Sequence, residues 1–365
     1  MLQLRSMALY QFKNYAQENF DFDSRVVGIT GPNGAGKTNL LDAIYYMGFT
    51  KSYFNSRDTA NTTYRTQGFR LEGRFQKGTQ LQKVSCVYRD NKKTIALNDK
   101  PYARFSLHIG TFPAVIIAPD DQILVTGGSE LRRKFMDILL CQTDSGYLEE
   151  LIAHQKILSQ RNSLLKAPDA GRSQPALLDV FDQQLATHGQ LLFARRQAFV
   201  AAFKDKVQFY YNYLSDHQET IALEYDSALF KADLATLLKR NREKDHWLGR
   251  TSDGVQRDDL AFIMDDHPLK QVGSQGQKKS FLFALKLAQF EWLREHKGFA
   301  PVLLLDDVFE KLDQQRIGRL IALIKAPEFG QVFITDTEAK RLEGIFSQNG
   351  INAQMIALPA RQKPA

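Results

Sequence analysis

Cysteine is nearly missing from this chain: two thiols, Cys86 and Cys141, stand among 365 residues. Two distant thiols in apolar surroundings build neither a disulfide framework nor a zinc site, so a reducing cytoplasm is the expected compartment. Long apolar runs are lacking as well. None reaches the roughly 18 residues a membrane span requires, and no membrane partner is expected. The opening Met1-Leu2-Gln3-Leu4-Arg5 lacks the basic-then-apolar layout of a secretory signal. Internal repeats and low-complexity tracts are absent. Acidic excess is missing too: the net charge is +7, with a pI near 9.2. That balance permits a polyanionic partner without requiring one. The basic clusters Arg132-Arg133-Lys134, Arg195-Arg196, Lys239-Arg240 with Arg242 and Lys244, and Lys278-Lys279 each read, taken singly, as solvated helix faces.

The length exceeds one average domain, so two lobes are expected. With 43% hydrophobic and 24% charged residues, the chain affords a sizeable core. The first fifty residues read as strand, strand, loop and helix, with Arg25 to Thr30 a short apolar strand. Phe69, Leu71, Gly73 and Phe75 alternate, and Lys77-Gly78 and Asp90-Asn91 are hairpin signals, so an antiparallel sheet is expected. Ala114 to Ala118 reads as a buried strand. From Gly127 the pattern turns helical. Ser129 is placed as the cap of a first helix, and a second covers Ser145 to Lys166, about 33 Å at 1.5 Å per residue. A loop is expected at 167–172, then a long helix from Pro175 to near Ser215. Polar loops around 216–219 and 243–254 bracket a strand, Ile221 to Tyr225, and a short helix. After residue 255 strands and helices alternate again, and the tail beyond Pro359 reads as loose. Chemistry at both ends with helices between predicts one discontinuous head, residues 1–125 and 255–365, carrying a helical arm lobe over 126–254.

The strongest motif is Gly31-Pro32-Asn33-Gly34-Ala35-Gly36-Lys37-Thr38, a full G-x-x-x-x-G-K-[ST] with a strand before it and a helix after. Glycines let successive N–H groups turn inward around phosphates, and the helix N-terminus adds its positive dipole end. Lys37 would reach the β- and γ-phosphates of ATP, and the Thr38 hydroxyl would ligate Mg²⁺. By itself, a glycine-rich turn that happens to precede Lys-Thr is the bland alternative; the flanking strand and helix argue against it.

Further along, Ser274-Gln275-Gly276-Gln277 opens an apolar helix. Alone it reads as an ordinary capped helix start. Downstream, Pro301 to Asp307 is an apolar strand ending in two acids. Placed beside the P-loop strand, Asp306 would hold the Mg²⁺ shell and Asp307 would orient or deprotonate the attacking water. Leu312-Asp313 follows. The order of P-loop, Ser-x-Gly helix, acid-tipped strand and Leu-Asp turn is the layout of ABC-type ATPases. That layout predicts an α/β fold, an ABC-type head with a mixed parallel core sheet plus an antiparallel sheet. It also implies that the Ser274 loop closes on ATP held by another copy's P-loop, giving an ATP-dependent homodimer.

Within that class the chain resembles the RecF family over nearly its whole length. Leu9-Tyr10-Gln11-Phe12-Lys13-Asn14-Tyr15 is similar to the family's L-x-x-F-R/K-N-Y, which brings Lys13 and Asn14 into the expected nucleotide site. Lys37-Thr38-Asn39-Leu40-Leu41-Asp42-Ala43-Ile44 resembles G-K-T-N-L-L-E-A-I and adds Asn39. Ala118-Pro119-Asp120-Asp121, Gly127-Gly128 and Arg132 to Asp137 resemble S-P-E-D, G-G-P and R-R-x-F-L-D. Ser274 to Lys279 looks like S-Q-G-Q-Q-K, and Asp313 stands in the Leu-Asp turn. Departures are Gln256 where the family has His, Tyr53-Phe54 without the Arg expected after Lys51-Ser52, and Asp336-Thr337 where a His switch commonly stands. The resemblance implies binding of ATP with Mg²⁺ and of duplex, gapped or junction DNA, slow DNA-stimulated hydrolysis, and help to RecO and RecR in loading RecA.

Three other readings fit less well. A transporter-type ABC ATPase subunit more often carries S-G-G-Q and a His switch. A break-repair ATPase with a long coiled coil needs a far longer arm. A P-loop kinase of small molecules leaves Ser274 and the Leu312-Asp313 turn unexplained.

Overall fold

The computed structural model describes residues 1–167, 175–215 and 219–360. The loops expected at 167–172 and around 216–219, and the tail beyond Pro359, lie outside the described residues but for their flanking positions. No described helix is long and apolar enough to cross a membrane.

The chain divides into two compact units, the first comprising Met1–Asp121, Tyr213–Ser215 and Phe283–Ala365. Its strands are β1 (Leu2–Phe12), β2 (Tyr15–Asp21), β3 (Val26–Thr30), β4 (Gly68–Lys77), β5 (Gln80–Arg89), β6 (Lys92–Leu97), β7 (Lys100–Pro101) and β8 (Ala114–Ile117). The chain later adds strands Val302–Leu305, Val332–Asp336 and Ala353–Ala357 to this unit. Three strands, not two, precede the P-loop.

β1, β2 and β4 to β7 form an antiparallel sheet in the order β2-β1-β4-β5-β6-β7. Its β4–β5 hairpin turns at Gly78 (φ 61°), and β5–β6 turns through Asp90 and Asn91 (φ 50° and 58°), the left-handed pair a tight hairpin favours. On β4, Phe69, Leu71, Gly73 and Phe75 point to the core while Arg70 and Arg74 are exposed, as the alternation required.

The remaining strands pair in parallel: Ala353–Ala357, β3, Val332–Asp336, Val302–Leu305, β8. Four of the five are buried at every position, which is why they read as unbroken apolar runs and not as alternating ones. Because the strands are parallel, the residues following each one emerge at the same edge of the sheet. The P-loop after Thr30, Asp306-Asp307 after Leu305 and Asp336-Thr337 therefore meet. One expectation is corrected here. The acid-tipped strand is not the neighbour of the P-loop strand; Val332–Asp336 lies between them.

The second unit comprises Gln122–Asn212 and Asp216–Leu282. It holds the helices Ser129–Thr143 and Ser145–Lys166 and all but the last three residues of Pro175–Ser215, a helix of 41 residues and thus about 60 Å long. Ser129 is the first helical residue and not the cap; Gly128 holds the cap position without a side-chain bond. Asp144 caps the next helix, accepting from the Tyr147 N–H at 3.0 Å. A small antiparallel sheet adds β9 (Ile221–Asp226), β10 (Asp259–Met264) and β11 (His267–Pro268) in the order β11-β10-β9. That sheet moves a boundary. Residues 255–282, expected in the head, belong to the second unit, because β10 pairs along its length with β9 and Phe262 packs on Phe281 at 4.7 Å.

Candidate nucleotide and metal site

The loop after β3 is shaped by its glycines. Gly31, Gly34 and Gly36 take φ of 151°, 82° and 110°, a region that side chains strain. A Cβ at Gly36 would stand 2.9 Å from the Tyr15 phenol, and one at Gly31 would stand 2.6 Å from the Leu358 carbonyl oxygen. Its crest, Pro32-Asn33-Gly34, is exposed, while Ala35 and Gly36 are buried. Two side chains brace it from below. The Asn14 amide donates to the Gly34 carbonyl at 3.1 Å and accepts from Asn39 at 2.8 Å, and the Tyr15 hydroxyl donates to the Gly36 carbonyl at 3.0 Å. Lys37 opens the helix Lys37–Phe49 and is buried, its ammonium donating to the Gly31 carbonyl at 2.9 Å.

Lys13 is brought elsewhere. Its ammonium lies 2.5 Å from the fully buried Asp42 carboxylate, which also accepts from the Ser52 hydroxyl (2.6 Å) and the Tyr53 N–H (2.7 Å). Lys13 thus fastens the P-loop helix, and the structure does not aim it at the loop. Tyr53, in the stretch lacking the expected Arg, bonds Asp121 and accepts from Lys286 at 3.0 Å.

Opposite the loop, the Thr38 hydroxyl lies 2.9 Å and 3.0 Å from the two Asp306 carboxylate oxygens. Thr335, at the end of the intervening strand, donates its hydroxyl to Asp306 at 2.8 Å and accepts from the Asp307 N–H at 2.8 Å. Asp307 sits in the left-handed region at φ 46°, a conformation uncommon for a side chain other than glycine. Burial pushes the Asp306 carboxyl up to about 6, assisted by the neighbouring Asp307 charge and opposed by the Thr335 and Thr38 hydroxyls and by Lys37. The Asp307 carboxyl is raised as well, chiefly by burial, with Lys37 opposing and Glu310 and Asp336 adding repulsion. Among the described residues no arginine pairs with either acid. Hard oxygens of one carboxylate and one hydroxyl, in a site where a negative charge is destabilised, form a donor set that fits a Mg²⁺ ion completed by waters and phosphate oxygens.

Asp336 and Thr337 form a structural corner. The buried Asp336 pairs with Arg341 at 2.6 Å and accepts from the Glu338 N–H at 2.7 Å, while Thr337 donates to Glu310 at 2.7 Å. Asp313 caps the helix Gln314–Lys325, accepting from the Arg316 N–H at 2.9 Å, and that bond holds its carboxyl below the ordinary range.

In the second unit, Ser274 and Gln277 exchange reciprocal bonds at the start of the helix Gln275–Lys297. The Ser274 N–H donates to Gln277 Oε1 at 2.7 Å, and the Gln277 N–H donates to Ser274 Oγ at 3.2 Å. This is a capping box. The Gln277 amide then donates to Glu219 at 2.6 Å, and Gln275 accepts from Gln122 at 2.8 Å. Ser274 and Gln275 remain exposed and Gly276 is half-buried. Gln256, where the family has His, donates to the Asp253 carbonyl at 2.8 Å.

Sequence reasoning missed Thr335, Tyr15 and Asp42 as site-forming residues. Their only signal was position: Thr335 ends an apolar strand, Tyr15 follows Asn14, and Asp42 faces back along the P-loop helix.

A family model described as the RecF/RecN/SMC N terminal domain matches residues 3–356. The DNA replication and repair protein RecF of Flavobacterium johnsoniae is 41% identical over 346 residues, covering 94% of this chain and 96% of that protein. The chain belongs to the RecF family. The RecF protein of Bacteroides thetaiotaomicron is 39% identical, with 95% and 94% covered. A solved structure of the recombination mediator protein RecF-ATP in the RecFOR pathway superposes with a TM-score of 0.84 at 28% identity, covering 92% of each chain. The Smc head domain of Pyrococcus furiosus, at 15% identity and a TM-score of 0.54, shares the fold. The P-loop, the Ser274 loop and both acids fall inside the matched residues, among proteins of DNA replication and repair.

Proposed function

We propose that this protein is an ATP-switched DNA clamp of recombinational repair. ATP with Mg²⁺ binds the loop Gly31 to Thr38, braced by Asn14 and Asn39. Lys37 leaves the Gly31 carbonyl for the phosphates, and Thr38 and Asp306 hold the metal. When bound, the metal offsets phosphate charge; the chain's own residues supply the rest. Asp307, its carboxyl raised by burial, is suited to orient a water and take its proton. Thr335 fixes the backbone from which Asp307 projects. Ser274, Gln275, Gly276 and Gln277 present a helix N-terminus to the nucleotide of a second copy, and Asp313 is a further residue proposed for nucleotide binding. Two copies then close over two nucleotides.

A ligand that binds the closed pair better than the open monomers shifts the population toward the pair, and hydrolysis removes that bias. Slow turnover, stimulated weakly by DNA, suits such a switch. We further propose that the closed pair holds duplex DNA at single-strand gaps or junctions through phosphate contacts, and helps RecO and RecR load RecA. The RecF relatives and the solved RecF-ATP structure support this reading. One observation carries it: Lys37, Thr38, Asp306 and Asp307 converge at one sheet edge in a chain of this family.

The test is DNA binding with ATP and with ADP over a salt series. A clamp requires tighter binding with ATP and a linear fall of log affinity with log salt. Equal affinity with either nucleotide would remove the switch from the account.

A further inference from the structure

The cluster Lys239-Arg240-Arg242-Lys244 plays no part in the nucleotide site, and beside it stands Trp247, 85% exposed. The other tryptophan, Trp292, is 8% exposed. Trp247 presents nearly its whole indole to water, a flat apolar face with a polar N–H on which a partner can stack. We propose that Trp247 and the cations around it are a contact for single-stranded nucleic acid, the indole stacking on a base and the cations holding phosphates. The proposal rests on the DNA-binding reading above and names a surface for it within the second unit.

The geometry begins with two short helices, Leu234–Arg240 and Arg242–Leu248. The Asn241 N–H donates to the Leu237 carbonyl at 3.0 Å, and the Asp245 N–H donates to the Asn241 carbonyl at 2.8 Å. Asn241, at φ −94° and ψ 6°, breaks the helix between them, and Arg240 closes the first helix just before that break. Within the second helix Lys244 and Trp247 recur at i and i+3, on one face, while Asp245 is fully buried. Gly249 ends the second helix at φ 62°, and the Arg250 N–H returns to the Asp245 carbonyl at 3.1 Å, folding Arg250 back toward the helix end. A Cβ at Gly249 would stand 3.3 Å from Lys166 Cγ, which brings a further exposed cation to the same place. From Lys166 an open groove of about 320 Å³ runs along Gln155, Leu158, Ser159, Asn162 and Ser163, a lining of amides, hydroxyls and one leucine with no carboxylate.

Arg240, Lys244, Arg250 and Lys166 are exposed and form no ion pair among the described residues. The acids nearby are committed elsewhere. Asp245 holds Arg161 at 2.7 Å, Asp179 and Asp182 hold Arg242 at 2.6 Å, and Asp253 accepts from Asn241. Glu243 and Asp233 are exposed as opposing charges on the two helices. A protein anchor would sit in a packed pocket whose surround excludes water. Trp247 has Glu243 and Lys244 as its neighbours on the helix instead. An exposed ring among long cations suits bases and phosphates, without sequence preference.

The experiment uses the full-length protein and an oligo-dT probe. Quenching of tryptophan emission is read against a Trp247→Phe blank, which keeps an aromatic face but loses the reporter. Expected are quenching absent from the blank, about tenfold weaker dT binding by Trp247→Ala, and a salt slope lower by about 0.7 for each charge removed in Lys244→Gln and Arg250→Gln. Circular dichroism melts confirm that the exposed substitutions leave the fold intact. Unchanged Trp247 emission at saturating dT, with duplex still bound in ATP, overturns this surface and leaves the clamp standing. Loss of duplex binding in the wild type under every nucleotide condition removes the underlying reading instead. A poly-glutamate peptide that quenches Trp247 as deeply as dT at equal ionic strength would assign the face to an acidic protein and overturn the nucleic-acid proposal.

Discussion

Two of the places where this molecule buries carboxylates treat them in opposite ways. In the second unit Arg161, fully buried, lies 2.6 Å from Asp182 and 2.7 Å from Asp245, and donates to the Thr251 hydroxyl at 2.9 Å. Each acid there has a guanidinium, and Arg242 adds a second at Asp182. At the edge of the parallel sheet, Asp306 and Asp307 have hydroxyls and the more distant Lys37, and both carboxyls are raised. Compensated charge rigidifies. Uncompensated charge is held ready for a cation that arrives with the ligand.

The sharpest way to break that contrast is to remove the arginine. Arg161→Met leaves the buried Asp245 without a guanidinium and Asp182 with Arg242 alone, and should cost about 3–5 kcal/mol of stability, measured by denaturant unfolding. A loss below about 1 kcal/mol would mean the network is not the anchor described. Asp307→Asn should do the reverse: little change in unfolding, intact ATP binding, hydrolysis slowed about 10²–10⁴-fold, and a dimer that persists. Normal turnover by this variant would remove Asp307 from the chemistry.

A pH series sharpens the comparison further. An ordinary aspartate titrates near 3.8, and burial raises Asp306 to about 6. Between these values the folded protein keeps a proton that the unfolded chain releases, so the contribution of Asp306 to stability falls as pH rises through the window. The loss is about 3 kcal/mol at most. Without Mg²⁺, Asp306→Asn should therefore be the more stable protein at pH 7 and lack this part of the slope. Mg²⁺ should close the gap above pH 6 in the wild type only. Identical pH profiles for the two proteins would contradict the assignment. The smallest effect concerns Ser274→Ala: about 1 kcal/mol lost with the cap, ATP binding by single copies unchanged, and pairing of copies blocked.

Much of this was legible because it is local. The phosphate loop is eight consecutive residues whose glycines, lysine and threonine each have a separate task, and the buried strands announce themselves as apolar runs. What escaped depends on distant pairing. Thr335 touches both acids only because Val332–Asp336 lies between the other two strands, and no spacing in the chain reveals that order. Residues 255–282 changed units because β10 pairs with β9. Lys13 aligned with the family's opening motif, but its partner, Asp42, is a buried group on the P-loop helix. Ser129 missed the cap position by one residue, within the usual uncertainty of a helix end.

The central claim is that ATP joins two copies of this chain. Sedimentation of the wild type with ATP and Mg²⁺, with ADP, and with duplex DNA added to each tests it most directly. The account predicts paired copies with ATP and single copies with ADP, and no pairing by Ser274→Ala in either. Single copies under every condition would contradict it.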